Sequence, residues 1–112
     1  METASRDVGH FLEQTYDSDP RVRKSAVVHL CPCHVKRNRD DVWDRMLSMA
    51  HDGDRDVRNA VLHVLTDGSP RDRALQVVGI LEAMQGDVDA RLRRKARHIL
   101  AHYRRTGDLN IS

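Results

Sequence analysis

Asp17-Ser18-Asp19-Pro20-Arg21-Val22-Arg23-Lys24-Ser25-Ala26-Val27-Val28-His29-Leu30 decides the fold, because the chain writes this stretch twice more. Adding 35 to Val22, Arg23 and Leu30 gives Val57, Arg58 and Leu65, and adding 35 again gives Leu92, Arg93 and Leu100. The acids move with them: Asp17 and Asp19 become Asp52 and Asp54, then Asp87 and Asp89. A fixed period of this length marks supersecondary units that bury their apolar faces on one another.

Each copy sits in the same local frame. From about Thr3 to Tyr16, apolar Val8, Phe11 and Leu12, with Thr15, recur at three- and four-residue spacing and predict a short amphipathic helix. Asp19 then supplies an N-cap and Pro20 a first helical residue whose missing N–H is not needed, so a second helix runs to Leu30 with Val22, Ala26, Val27 and Leu30 inward. Cys31-Pro32 stops it. Asn38 is the candidate cap of a third helix, from about Arg39 to His51, burying Val42, Trp43, Met46, Leu47, Met49 and Ala50. After the turn Asp52-Gly53-Asp54, a fourth helix presents Val57, Ala60, Val61, Val64 and Leu65. Gly68-Ser69-Pro70 reads as a stop followed by an N-cap serine, opening a fifth helix with Leu75, Val78, Leu81 and Met84 inward. Gly86-Asp87 breaks it. Leu92, Ala96, Ile99, Leu100 and Tyr103 define the sixth, and residues 106–112 remain as a tail.

The first helices keep the same offset, as Phe11, Met46 and Leu81 do, so the unit is a helical hairpin. The expected fold class is all-α: one domain, 1–112, in which three hairpins at about 3–34, 38–69 and 70–105 stack into a short α-solenoid of six helices.

Composition narrows the chemistry. With 112 residues the chain is large enough for a core without disulfide or metal staples, and with only Phe11, Tyr16, Trp43 and Tyr103 aromatic, that core is aliphatic. Nineteen basic against 17 acidic residues leave a formal charge of +2, so any polyanion partner must be argued from where charges sit. The first residues carry acids and no apolar run, and no stretch reaches membrane-spanning length, which places the expected protein in the cytoplasm. Its two cysteines fit a reducing compartment.

Helix, Asp-rich turn, then Val-Arg-x-x-Ala-x-x-x-Leu at Val22-Arg23, Ala26 and Leu30 resembles a HEAT repeat of the short bacterial type, the kind grouped with phycobilisome-lyase-type repeats. Val57-Arg58 and Leu65 match, with Val61 in place of the alanine; Leu92-Arg93, Ala96 and Leu100 match with leucine first. The resemblance covers nearly the whole chain and implies that Arg23, Arg58 and Arg93 pair with turn aspartates of the same or adjacent repeat. Its motif positions are packing positions, so it implies scaffold rather than chemistry.

No nucleophile stands with a base and no glycine-rich phosphate loop follows a strand, so neither an enzyme nor a cofactor is expected. Charge placement is more informative. Bases gather after each second helix, at Lys36, Arg37 and Arg39, then Arg71 and Arg73, then Arg104 and Arg105, while acids precede each second helix. Helix dipoles explain much of this. They do not explain Arg91, Arg93, Arg94, Lys95 and Arg97 on one helix as well. The expectation is therefore a surface for an acidic protein, formed by Lys24, Lys36, Arg37, Arg71, Arg94, Arg97, Arg104 and Arg105, with His63 and His98 beside it. The alternative partner is a nucleic-acid backbone, as a likeness to HEAT-like DNA glycosylases implies, although exposed aromatics for base stacking are lacking. A second alternative is a metal or redox site at Cys31-Pro32-Cys33-His34, in which Cys31, Cys33 and His34 offer thiolate and imidazole and His29 a fourth ligand. Against it, Cys31 suits a buried helix end. The array is expected to be a monomer or weakly self-associating through its terminal faces.

Overall fold

The computed structural model describes residues 4–31 and 39–111. Among them the chain is all-α, with helices α1 (Ala4–Gln14), α2 (Pro20–His29), α3 (Asp40–Met49), α4 (Arg55–Leu65), α5 (Ala74–Met84) and α6 (Ala90–Thr106), a 3₁₀ turn at Arg71–Arg73 and no strand. Helices pair in chain order, α1 on α2, α3 on α4 and α5 on α6; α2 also lies along α4, and α3 meets α5. None is long and apolar enough to cross a membrane.

The three Asp-x-Asp turns are built alike. The first aspartate closes an Asx-turn: Asp17, Asp52 and Asp87 accept the N–H groups of Asp19, Asp54 and Asp89 at 2.8, 2.9 and 2.8 Å. The second caps the helix that follows, Asp19 accepting from Arg21, Asp54 from Asp56 and Val57, and Asp89 from Leu92. Each such cap contributes about 1 kcal/mol.

The motif arginines join one turn to the next. Arg23 grips Asp52 through Nε and Nη2, both at 3.0 Å, and Arg58 grips Asp87 at 2.9 and 3.0 Å, each pair 29 residues apart. The remaining Nη1 of each arginine donates to the carbonyl of the first aspartate of its own turn, Asp17 for Arg23 and Asp52 for Arg58, at 2.9 and 2.8 Å. Arg93 makes the second kind of bond, to the Asp87 carbonyl at 2.7 Å. Burial opposes ionisation of Asp52 and Asp87, but the guanidinium and turn N–H bonds outweigh it, and both carboxyls sit below the ordinary aspartate value.

Between the helices lies one aliphatic core, centred on Val27, Leu30, Met46, Val57, Val61, Leu65, Leu81, Leu92 and Leu100, with Trp43 its buried aromatic. Two local expectations need correction. Leu75 does not face inward; it is 83% exposed, and Val77, at the 35-residue offset from buried Val42, takes the core position. Ser69 does not cap α5, which begins only after the 3₁₀ turn. Its N–H and that of Gly68 instead both donate to the Asn110 side chain at 2.8 Å, while Asn110 Nδ2 returns a bond to the Ser69 carbonyl. Residues after α6 fold back on the molecule: Gly107, at φ 75°, reverses the chain as only glycine does without strain, and Leu109 is buried. The proposed Asn38 cap lies outside the described residues.

Candidate functional site

The longest helix carries the densest group of candidate residues. At 3.6 residues per turn, Leu92, Ala96, Ile99 and Leu100 share the inward side of α6 and are buried, while Arg91, Arg94, Lys95, Arg97, Arg104 and Arg105, with His98, occupy the opposite side and are all exposed. Seventeen helical residues make this stripe about 25 Å long. No acidic residue falls within α6.

The fold sorts the arginines into two populations. Arg23 and Arg58 serve the turns; Arg73 ties the 3₁₀ segment to α3 through Asp44 at 2.6 Å and Asp40 at 3.0 Å; Arg39 pairs with Asp41. Arg45 donates to the Thr15 hydroxyl and carbonyl, both at 2.9 Å, and lies 3.6 Å over the Tyr16 ring. Sequence spacing did not reveal that last role, since Thr15 and Arg45 belong to different helix pairs. By contrast, Arg91, Arg94, Arg97, Arg104 and Arg105 form no ion pair or side-chain hydrogen bond among the described residues.

Dipole complementarity accounts for only part of the stripe. Arg104 and Arg105 stand in the last turn, where a cation is stabilised, but Arg91 stands in the first turn, where the dipole repels it. Neighbouring like charges three and four residues apart, such as Arg91 with Arg94 and Lys95, each cost a few tenths of a kcal/mol. No carboxylate of α6 itself offsets that repulsion.

The other candidate residues are dispersed. Lys24 is exposed on α2, with α4 between it and α6, so it does not join the stripe. Arg71 is exposed and lines a groove with Tyr103, Thr106 and Asn110 at the C-terminal end of α6. The bases at Arg39 and Arg73, expected in free loops, are spent on α3. His63 pairs with Asp67 at 3.5 Å, whereas His98 lies on the stripe. His29 stacks on Phe11 at 4.5 Å and places Nδ1 2.8 Å from the Ser25 carbonyl. Lys36, Arg37, Cys33 and His34 lie outside the described residues.

Between α4 and α6 a cavity of about 340 Å³ is lined by Arg55, Asp56, Asn59, Asp89, Arg91 and Lys95. Lys95 spans its edge to Asn59 Oδ1 at 2.7 Å. Comparison of the chain with protein-family models, with curated proteins and with solved structures found no match.

Proposed function

We propose that the chain is a short HEAT-type α-solenoid of three stacked hairpins that serves as a non-catalytic interaction module in the cytoplasm, holding an acidic protein partner against the outer face of α6. The observation that carries this reading is the exposed stripe of Arg91, Arg94, Lys95, Arg97, Arg104 and Arg105 on a helix that carries no acidic residue. Five exposed arginines that form no ion pair or side-chain hydrogen bond among the described residues, two of them in or next to the turn where the helix dipole disfavours them, have their repulsion relieved by an acidic surface. Arg71 and His98 extend the contact. Arginine suits this work because its fork grips carboxylates in pairs.

A phosphate backbone offers the same charge. Protein is favoured because the largely exposed aromatic among the described residues, Tyr16, lies on the α1–α2 connection beneath Arg45, and the ring nearest the stripe, Tyr103, is partly buried, so the stripe lacks an open platform on which bases would stack. The test is capture of the native partner by the wild-type chain and by Arg94→Glu/Arg97→Glu, with duplex DNA binding measured in parallel at two salt concentrations. Loss of protein capture by the variant, with no duplex affinity at physiological salt, supports the reading. Unchanged capture refutes it, and tight duplex binding that falls steeply with salt replaces it with the nucleic-acid reading.

A further inference from the structure

Two helix ends meet on the side of the molecule away from the Asp-x-Asp turns. Cys31 follows the C-cap of α2 and is 2% exposed; His63 lies in the last turn of α4, and Asp67 just beyond it. Cys31 Sγ is 3.2 Å from Asp67 Oδ2, and His63 Nε2 is 3.5 Å from that same oxygen. All three donor atoms lie within 4.8 Å of one another.

The two separations to Asp67 Oδ2 are close to those a bound metal imposes on its donors. Tetrahedral zinc, with sulfur at about 2.3 Å and nitrogen or oxygen at about 2.0–2.2 Å, places its donors about 3.3–3.6 Å apart. The donor set is a soft thiolate, an imidazole and a carboxylate, the mixture zinc accepts and hard cations do not. Field and access agree with it. The negative ends of the α2 and α4 dipoles both point here, favouring a cation, and His63, with 54% of its side chain exposed, leaves a path from solvent.

The simplest competing explanation is a buried thiol plugging a helix end. The 35-residue counterpart of Cys31 is Thr66, which does that job by donating to the Leu62 carbonyl of its own helix at 2.8 Å. Cys31 reaches 36 residues along the chain to a carboxylate that also holds a histidine. We propose that Cys31, His63 and Asp67 form a three-ligand site for a divalent metal ion of the zinc class. Binding exchanges the thiol proton for a metal–sulfur bond, with no electron transferred, and leaves a fourth position for water or a partner's ligand.

The experiment titrates the full chain, without a histidine tag, with cobalt(II) alone and then zinc(II). One equivalent of cobalt should give a sulfur-to-cobalt charge-transfer band, displaced by one equivalent of zinc. Cys31→Ser should abolish the band and Cys33→Ser should retain it. His63→Ala, altering an exposed side chain, should keep the native circular dichroism yet weaken cobalt binding by about tenfold or more. Failure of the wild-type chain to bind cobalt overturns the site. So does a band that survives Cys31→Ser but is lost in Cys33→Ser, or an affinity in His63→Ala within about twofold of wild type.

Discussion

The junction between α2 and α4 and the junction between α4 and α6 use the same turn, the same cap and the same arginine fork, yet they differ wherever those parts leave a choice. Arg23 with Asp52 holds the first and Arg58 with Asp87 the second. At the first, the backbones of α2 and α4 lie close together, and Ala60 is 8% exposed. Thirty-five residues on, the same position is Lys95, which is exposed, reaches for Asn59 and borders an open cavity. A lysine keeps its ammonium in water, so α6 stands off where α4 could close. The helix ends differ as well: Cys31, His63 and Asp67 at the first junction become Thr66, His98 and His102 at the second, and the thiol and the carboxylate are gone. Shared positions hold the helices together; divergent ones are where ligands are to be sought.

Breaking the shared part should have the largest effect. Arg58 and Asp87 keep only 10% and 9% of their side chains exposed, so Arg58→Ala strands a desolvated carboxylate and should lower stability by about 3 kcal/mol in a urea titration. A loss below about 0.5 kcal/mol would place that fork among surface pairs. Exchanging the divergent residue comes next. Ala60→Lys installs the second junction's residue at the first and should cost about 1–3 kcal/mol through overpacking, while Lys95→Ala should be near neutral. Equal effects of the two substitutions would erase the distinction between the junctions.

Titrating the shared part should have a smaller and graded effect. The carboxyls of Asp52 and Asp87 are depressed in the folded chain, so their contribution is complete above the unfolded aspartate value of about 3.9 and is lost as pH falls through the lower folded values. The urea midpoint should therefore decline progressively below about pH 4. A midpoint that holds steady there would contradict the paired geometry.

Much of this fold is legible in the chain because its signals are local. Asp19, Asp54 and Asp89 cap within three residues, and the apolar spacing of α4 and α6 picks out core residues that are buried. Leu75 misleads because α5 starts one turn late, after a 3₁₀ segment that Ser69 does not cap. That displacement depends on Asn110, more than 40 residues away, binding the Gly68 and Ser69 amides, and on Arg73 reaching into α3. The same limit governs the surface. The α6 cations are visible as a run, but which arginines the fold consumes depends on partners 29 or 30 residues distant. Likewise the adjacent Cys-Pro-Cys-His run draws attention to a local ligand set, whereas the donors that surround Cys31 among the described residues come from the end of another helix.

Separating consumed from spare cations provides the most direct test. Arg58→Ala and Arg94→Glu/Arg97→Glu should be compared by thermal melting and by capture of the partner in the same preparation. The double variant should melt at or above the wild-type temperature, because like-charge repulsion along α6 is relieved, and should lose the partner, while Arg58→Ala melts lower. A double variant that melts as low as Arg58→Ala, or that retains its partner, would contradict the division of the arginines into scaffold and binding surface.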